Sequence, residues 1–212
     1  MKIISMLQQK GGVGKTTLAV HLAVAIKHFS PGLSLAIADA DPQASASAWL
    51  KTGAAGIQSI RVAEDNEGKN LLTELRSINT DVVILDLPPA LATISLRAAL
   101  HSNLLLIPSG PSSVDLRATK AAVELAHEAM SMVPDKQMLL VPNKVRWNTA
   151  SGRQLRDALT AWGPLSTSTI CQREVFAEAA LVGLGVTQHA PDSPAAEEIL
   201  SLAREVLSLL GL

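Results

Sequence analysis

A glycine-rich segment near the start of the chain carries the residues best suited to bind phosphate. Residues 9–17 read Gln-Lys-Gly-Gly-Val-Gly-Lys-Thr-Thr and follow a short apolar run that predicts a strand. A helical pattern of apolar residues begins at once, so the glycines occupy a strand-to-helix turn. In such a turn, backbone N–H groups and the positive end of the helix dipole can surround an anion. The segment therefore predicts a phosphate-binding loop.

The loop side chains predict defined contacts with a magnesium nucleotide. Lys15 would reach the outer phosphates, and the Thr16 hydroxyl would bind Mg²⁺. The alternative is a glycine turn with chance lysines, which the flanking strand and helix patterns disfavour. The residues expected to bind the nucleotide here are Lys10, Gly11, Gly12, Val13, Gly14, Lys15, Thr16 and Thr17.

The loop departs from the usual phosphate-loop pattern at its first position, where Gln9 replaces glycine and Lys10 follows. This Lys-Gly-Gly-x-Gly-Lys-Thr form resembles the deviant Walker A loop of the ParA/MinD family of ATPases. The resemblance implies ATP and Mg²⁺ as cofactors. It also implies that Lys10 crosses a nucleotide-sandwich homodimer to the phosphates of the partner subunit, so that Lys10 and Lys15 both take part in catalysis.

Three aspartates follow predicted strands. Asp39 and Asp41 come after the apolar run 33–38, and Asp86 ends the run 81–85. Taken alone, each could be an ordinary turn or helix cap. An acidic residue at the end of an apolar strand is the Walker B arrangement, so Asp86 should hold Mg²⁺, through water. The Asp-Ala-Asp-Pro-Gln string resembles the family's second motif, which implies that Asp41 orients the attacking water and Asp39 supports the Mg²⁺ shell.

Two later segments also resemble the family. Asn143 follows the apolar run 137–141 at the position that contacts adenine, where an amide can both donate and accept hydrogen bonds. A simple turn residue is the alternative. Residues 107–115 resemble an Ile-Pro…Pro-Ser…Asp segment that borders the nucleotide and the dimer interface. Ser112 or Ser113 could cap the following helix, with Asp115 in its first turn.

Basic residues are concentrated late in the chain, although the net charge is only −1. Residues 136–173 contain six basic residues and one acid, whereas residues 174–212 contain six acids and one basic residue. The basic stretch could follow a DNA backbone without reading its sequence, or it could be a solvated face. Spacing places Arg153 and Arg156 on one face of a predicted helix at 149–162. The candidate DNA contacts are Lys144, Arg146, Arg153, Arg156 and Arg173.

The composition indicates a single α/β domain spanning residues 1–212. Hydrophobic residues make up 48% of the chain but aromatic residues only 2%, so the core must consist of Leu, Val, Ile and Ala. Such a composition suits parallel strands covered by helices on both faces. Strand and helix patterns alternate along the chain, which predicts a mostly parallel sheet with helices on both faces. The resemblance implies the deviant Walker A P-loop NTPase fold.

Several individual elements can be predicted as well. Residues 57–62 form a less apolar strand expected near a sheet edge, followed by a polar turn at 66–69. A last strand is expected at 166–170 and a final amphipathic helix at 194–210. The lone Cys171 excludes an internal disulfide and is expected to be inert.

The resemblance covers essentially the whole chain and is strongest to small, ParF-like plasmid partition ParA proteins. It implies ATP-dependent DNA segregation in plasmid or chromosome partition. ATP would close a homodimer that binds DNA non-specifically. A small DNA-binding centromere or adaptor protein would then stimulate an otherwise weak hydrolysis. The expected location is cytoplasmic, on the nucleoid when ATP is bound. The loop lies so close to residue 1 that a preceding helix-turn-helix extension is not expected.

Three other functions remain open. A MinD-like ATPase would insert its terminal helix into a membrane, but the acidic C-terminal region disfavours that role, and no apolar run approaches the ~20 residues of a membrane span. The ATP switch could instead position a protein assembly. A metabolic enzyme similar to dethiobiotin synthetase is disfavoured by Lys10 and by the Asp-Pro-Gln string at Asp41.

Overall fold

A computed structural model describes residues 1–51, 53, 56–62, 69–89 and 92–212. The polar turn predicted at 66–69 lies outside these residues, apart from Lys69, which begins a helix. The strands are β1 (Lys2–Met6), β2 (Leu35–Asp39), β3 (Ile57–Arg61), β4 (Val82–Asp86), β5 (Leu104–Ser109) and β6 (Gln137–Pro142). The helices are α1 (Lys15–Phe29), α2 (Ser45–Leu50), α3 (Lys69–Ser77), α4 (Ala92–His101), α5 (Ser113–Met132), α6 (Ala150–Thr160), α7 (Val175–Leu181), α8 (Val186–His189) and α9 (Pro194–Leu210).

The six strands form one sheet in the order β3-β2-β4-β1-β5-β6, and every pair is parallel. The predicted fold class is therefore confirmed. β3 lies at one edge of the sheet, as its weaker hydrophobicity indicated, and β6 lies at the other. β1 lies between β4 and β5, so the segment that follows β1 emerges near the middle of the carboxyl edge. Ligands bind at this edge in open α/β sheets.

Both faces of the sheet are buried, because successive side chains of a strand point to opposite sides. Ile4 and Met6 belong to one apolar cluster, with residues of α1 and α9. Ile3 and Leu7 belong to a second cluster on the other face, with residues of α3, α4 and α5. The strands can therefore be almost continuously apolar without exposing apolar surface to water.

The final helix is buried along its apolar face. α9 has the bounds predicted from its periodicity, with Ser193 as its N-cap. Ile199, Leu202 and Val206 are fully buried in the cluster that includes α1. Within the described residues, no helix combines the length and apolar character needed to cross a bilayer.

Some expectations about individual elements were wrong. Residues 166–170 are not a strand. In the described part of the chain, two isolated bridges flank them, Leu140 with Leu165 and Val145 with Cys171. The N–H groups of Ser166 and Ile170 donate to carbonyls of β6, but between these bonds the Ser166 carbonyl accepts from Arg156 at 2.9 Å, so no continuous ladder forms. Helices α4, α7 and α8 were not anticipated, since none has a long apolar repeat of its own.

Candidate nucleotide-binding site

The glycine-rich segment forms a loop between β1 and α1 with an open set of backbone donors. Gly12 and Gly14 have φ angles of +77° and +99°, which side-chain-bearing residues rarely adopt. A Cβ on Gly14 would also lie 2.8 Å from Asn143 Nδ2. The first bond of the α1 ladder runs from the Leu18 N–H to the Gly14 carbonyl at 2.9 Å. The N–H groups of residues 15–17 thus precede the ladder and can bind an anion at the helix N-terminus.

Lys15 lies inside this loop rather than on the surface. It is only 7% exposed, and its Nζ lies 3.4 Å from the Lys10 carbonyl oxygen. Burial lowers the pKa of Lys15, while the charges of Asp86 and Asp41 act in the opposite direction. A phosphate group bound in the loop would restore a close counter-charge to this ammonium group. The position suits the predicted contact with the outer phosphates.

The side chains of Thr16 and Asp86 are in contact, as two ligands of one Mg²⁺ ion need to be. The Thr16 hydroxyl donates to Asp86 Oδ2 at 2.6 Å, and Asp86 Oδ1 is buried without a hydrogen-bond partner in the described chain. Burial raises the pKa of Asp86 to about 7, partly offset by the Thr16 hydrogen bond. A buried carboxylate with an unused oxygen beside a hydroxyl fits Mg²⁺, which binds to one or two protein groups together with phosphates and water. Thr16 and Asp86 would hold the ion.

Asp39 and Asp41 have different surroundings. Asp39 is fully buried, and its two oxygens accept from the backbone N–H groups of Asp41 at 3.2 Å and Ser47 at 2.8 Å. Its carboxylate thereby holds the loop that carries Asp41. Asp41 is half-buried, and Oδ1 accepts from the Gln43 N–H at 2.9 Å. Register pairs Asp39 with Asp86 across β2 and β4. The three aspartates predicted to work together therefore converge at one edge of the sheet.

Lys10 forms an ion pair that the sequence did not reveal. Its ammonium group contacts Asp115 Oδ1, at the start of α5. Asp115 is also the third residue of a capping box with Ser112, which confirms Ser112 as the cap of α5. Burial alone would raise the pKa of Asp115, but hydrogen bonds from Lys10 and Ser112 hold it below its usual value. The position of Asp115 in the first turn of α5 was the only signal in the sequence.

A cavity of about 450 Å³ opens beside the loop and could receive the nucleoside. Asn143 lines it, and Asn143 Nδ2 donates to the Val13 carbonyl at 2.8 Å, which leaves the amide oxygen available. Apolar walls come from Leu18, Ile170 and Phe176. The sequence predicts Asn143 at this position but does not reveal the apolar walls, because their residues come together only in the folded chain.

His21 is a buried residue of this cavity that the sequence did not single out. Its Nδ1 accepts from the Val186 N–H at 2.9 Å, while Nε2 has no partner in the described chain. Burial lowers the pKa of His21 to about 4, so the ring is neutral at physiological pH. The ring also packs against Trp49 and Phe176. His21 therefore ties α1 to the start of α8.

The five candidate DNA contacts do not share one free surface. Arg173 forms an ion pair with Glu198 at 2.7 Å, and Lys144 donates to the Gly12 carbonyl at 2.7 Å. Arg153 and Arg156 diverge despite their helical spacing. Arg153 donates to the Trp147 carbonyl, whereas Arg156 bonds to the loop at Ser166 and Thr169. Arg146 is exposed and donates through Nε to Gln172.

Comparison with known proteins agrees with this geometry. The model of the CobQ/CobB/MinD/ParA nucleotide-binding domain matches residues 4–186, which include the loop, the three aspartates and Asn143. The chain belongs to this family. It is a nucleotide-binding ATPase of the ParA/MinD type.

Relatives and solved structures show the same likeness over the whole chain. A maintenance of carboxysome distribution protein A from Halothiobacillus neapolitanus is 28% identical over 209 residues, covering 96% of this chain and 95% of the relative. The chromosome-partitioning ATPase Soj from Thermus thermophilus is 27% identical and covers 97% and 95%. The septum site-determining protein MinD of Pyrococcus horikoshii, complexed with Mg-ADP, superimposes with a TM-score of 0.81 at 20% identity. That match covers 99% of this chain and 97% of MinD.

Proposed function

We propose that this ParA/MinD-family protein is an ATP-driven positioning switch. ATP with Mg²⁺ closes a homodimer, the dimer binds DNA non-specifically, and a partner protein carried by the cargo stimulates hydrolysis and resets the cycle. The cargo in the leading form of this proposal is DNA, so that the protein acts in plasmid or chromosome segregation.

One observation carries the proposal. Lys10 belongs to the phosphate loop, yet its side chain leads away from the loop to Asp115 and is 33% exposed. Its own chain already supplies Lys15 to the phosphates, so Lys10 could exchange Asp115 for the phosphates of a second subunit. Nucleotide can shift a monomer–dimer equilibrium only through contacts that exist in the dimer alone. A lysine that crosses to the partner's phosphates would be such a contact.

The hydrolytic roles follow from the remaining geometry. Thr16 and Asp86 would bind Mg²⁺, which neutralises charge on the phosphates when bound. Asp41 would orient the attacking water, because it is less buried than Asp39 and its loop is fixed by the Asp39 carboxylate. We infer that hydrolysis is slow until a partner protein completes this arrangement.

A second candidate function keeps the switch and changes the cargo. The relative from Halothiobacillus neapolitanus is named for the maintenance of carboxysome distribution, which favours a protein assembly as the cargo. Positioning at a membrane is less well supported, because the apolar face of α9 is buried against α1 and not available to lipid.

The central test measures assembly and DNA retention with ATP, ADP or no nucleotide. Sedimentation should show a dimer only with ATP or a non-hydrolysable analogue, and DNA should be retained only in that state. Lys15→Ala is the matched control that should abolish both responses. A monomer under all three conditions would contradict the switch. In cells, loss of a plasmid or chromosome after gene deletion would favour DNA as cargo, while mislocalised protein assemblies would favour the second candidate.

A further inference from the structure

An exposed tryptophan lies among basic residues beyond the carboxyl end of β6. Trp147 is 49% exposed, whereas Trp49 and Trp162 pack against the two apolar clusters. Residues 143–156 contain four basic residues and no acid. Exposed aromatic surface beside unopposed positive charge is the combination that binds nucleic-acid strands.

The loop that carries the indole is held in place by its neighbours. It is tied to the cavity wall, because the Val145 N–H donates to the Ile170 carbonyl at 3.1 Å and the Val145 carbonyl accepts from the Gln172 N–H at 2.9 Å. A loop held in this way loses little conformational entropy when a flat ligand stacks on its exposed ring.

Two arginines belong to or bond with the loop that carries Trp147 and have donors left for phosphate. Arg146 uses only Nε, in its bond with Gln172 Oε1 at 2.9 Å, so its terminal amino groups are without a partner among the described residues. Arg153 uses Nη1 to bond with the Trp147 carbonyl at 3.1 Å, which places its guanidinium beside the tryptophan backbone. Guanidinium groups suit phosphate because they present several donors in one plane.

We propose that Arg146, Trp147 and Arg153 form a contact for a nucleic-acid strand with accessible bases. The two guanidinium groups bind backbone phosphates, and the indole face stacks on a base. Such a contact is indifferent to sequence, since every base has a flat face. The contact rests on the DNA-binding step of the proposed function and adds to it. The guanidinium groups can bind the phosphates of a duplex as well, whereas the indole can stack only on an accessible base.

The contact is linked to the candidate nucleotide site by a shared wall. Cys171 and Gln172 line the cavity beside the phosphate loop. Cys171 also forms a bridge with Val145, and Gln172 accepts a hydrogen bond from Arg146 Nε. A nucleoside in the cavity would contact Cys171 and Gln172, and these residues also support the loop that carries Trp147. This arrangement offers a physical route by which nucleotide could alter strand binding.

The test uses the full chain with a thymidine oligonucleotide of about 20 nucleotides and a duplex of equal length. Stacking should quench indole fluorescence when the single strand is added. Trp147→Phe should keep most of the affinity but lose the quenching, and Trp147→Ala should weaken binding by about five- to one-hundred-fold. Trp162→Phe is the matched control and should still show quenching. Arg146→Gln with Arg153→Gln should reduce the salt slope by about two, while Lys120→Gln should leave it unchanged.

Three outcomes would overturn the proposal. One is unchanged single-strand binding in the Trp147→Ala protein. Another is duplex binding as tight as single-strand binding with no change in fluorescence. The third is a fluorescence change caused by an ATP analogue alone, with no further response to the oligonucleotide, which would place Trp147 in a dimer interface. ATP-dependent dimerisation of the Trp147→Ala protein is measured in parallel, so that failure of the contact and failure of the ATP switch are distinguished.

Discussion

Replacing Lys10 with alanine tests the dimer mechanism most directly. In the described structure Lys10 is paired with Asp115, and in an ATP dimer it would contact the phosphates of the partner subunit. If Lys10 serves only its own chain, Lys10→Ala and Asp115→Asn should have the same effect. If Lys10 crosses the interface, Lys10→Ala should weaken the dimer, whereas Asp115→Asn should strengthen it. Monomeric nucleotide binding should remain in both cases, because Lys15 and the loop amides are untouched.

The size of the effect can be worked from the contacts. A charge-assisted hydrogen bond contributes about 1.5–3 kcal/mol, and a symmetric dimer contains two, which gives about 3–6 kcal/mol. Lys10 must leave Asp115 in each subunit when the dimer forms. Breaking these two partly exposed ion pairs costs about 1–2 kcal/mol and offsets part of the gain. The remainder, about 2–4 kcal/mol, corresponds to a dimer about 30- to 1,000-fold weaker in Lys10→Ala. Asp115→Asn removes the ion pairs that must otherwise break, so this variant should instead dimerise about 5- to 30-fold more tightly than the unmodified protein.

Sedimentation equilibrium with a non-hydrolysable ATP analogue would measure both dissociation constants. Lys120→Ala removes an exposed lysine from α5 and is the matched control, expected to leave dimerisation unchanged. Unaltered affinity of the Lys10→Ala dimer would show that Lys10 does not cross the interface. A dimer weakened as much by Asp115→Asn as by Lys10→Ala would show that Lys10 serves only its own chain.

Three further predictions concern the loop and the carboxylates. Lys15→Ala should abolish nucleotide binding and turnover, since the phosphates lose their buried counter-charge; calorimetric affinity equal to that of the unmodified protein would contradict the assignment. Asp41→Ala should keep the ATP dimer but lower turnover by about 10²–10⁴, and a variant that no longer binds ATP would give Asp41 a structural or metal role instead. The raised pKa of Asp86, about 7, means that the folded apo protein holds this proton more tightly than the unfolded chain. The free energy of unfolding should therefore fall as the pH rises from about 4 to above 7, by up to about 4 kcal/mol. Asp86→Asn should remove most of that fall in denaturant titrations, whereas exposed Asp157→Asn should not.

Much of the nucleotide site could be read from local sequence because each part is local in the chain. Residues 9–17 join the end of β1 to the start of α1 through glycines. The turn therefore depends on residues that are neighbours in the chain. Asp39 and Asp86 end apolar runs, and parallel strands place their carboxyl ends at one edge of the sheet. The α/β class followed from the alternation of strand and helix patterns along the chain.

Contacts between distant segments needed the tertiary structure. The pairing of Lys10 with Asp115 joins residues 105 positions apart, and the bond from Val186 to His21 joins residues 165 positions apart. Nothing in the local pattern around Asp115 distinguishes a helix cap from an ion-pair partner. The spacing of Arg153 and Arg156 predicts that they share one helix face. In the structure they bond to different segments, Arg153 to the Trp147 carbonyl and Arg156 to the Ser166 carbonyl, and the spacing could not show this.

The sequence by itself determined the chemistry of this protein: a loop for phosphate, carboxylates for Mg²⁺, and a second lysine with no evident use within its own chain. The tertiary structure decided which of those groups are free and which are engaged. It assigned Lys10 to Asp115 and both oxygens of Asp39 to backbone amides. The physical reason is that the identity of a side chain determines what it can bind, whereas burial and long-range packing determine which partner it actually contacts.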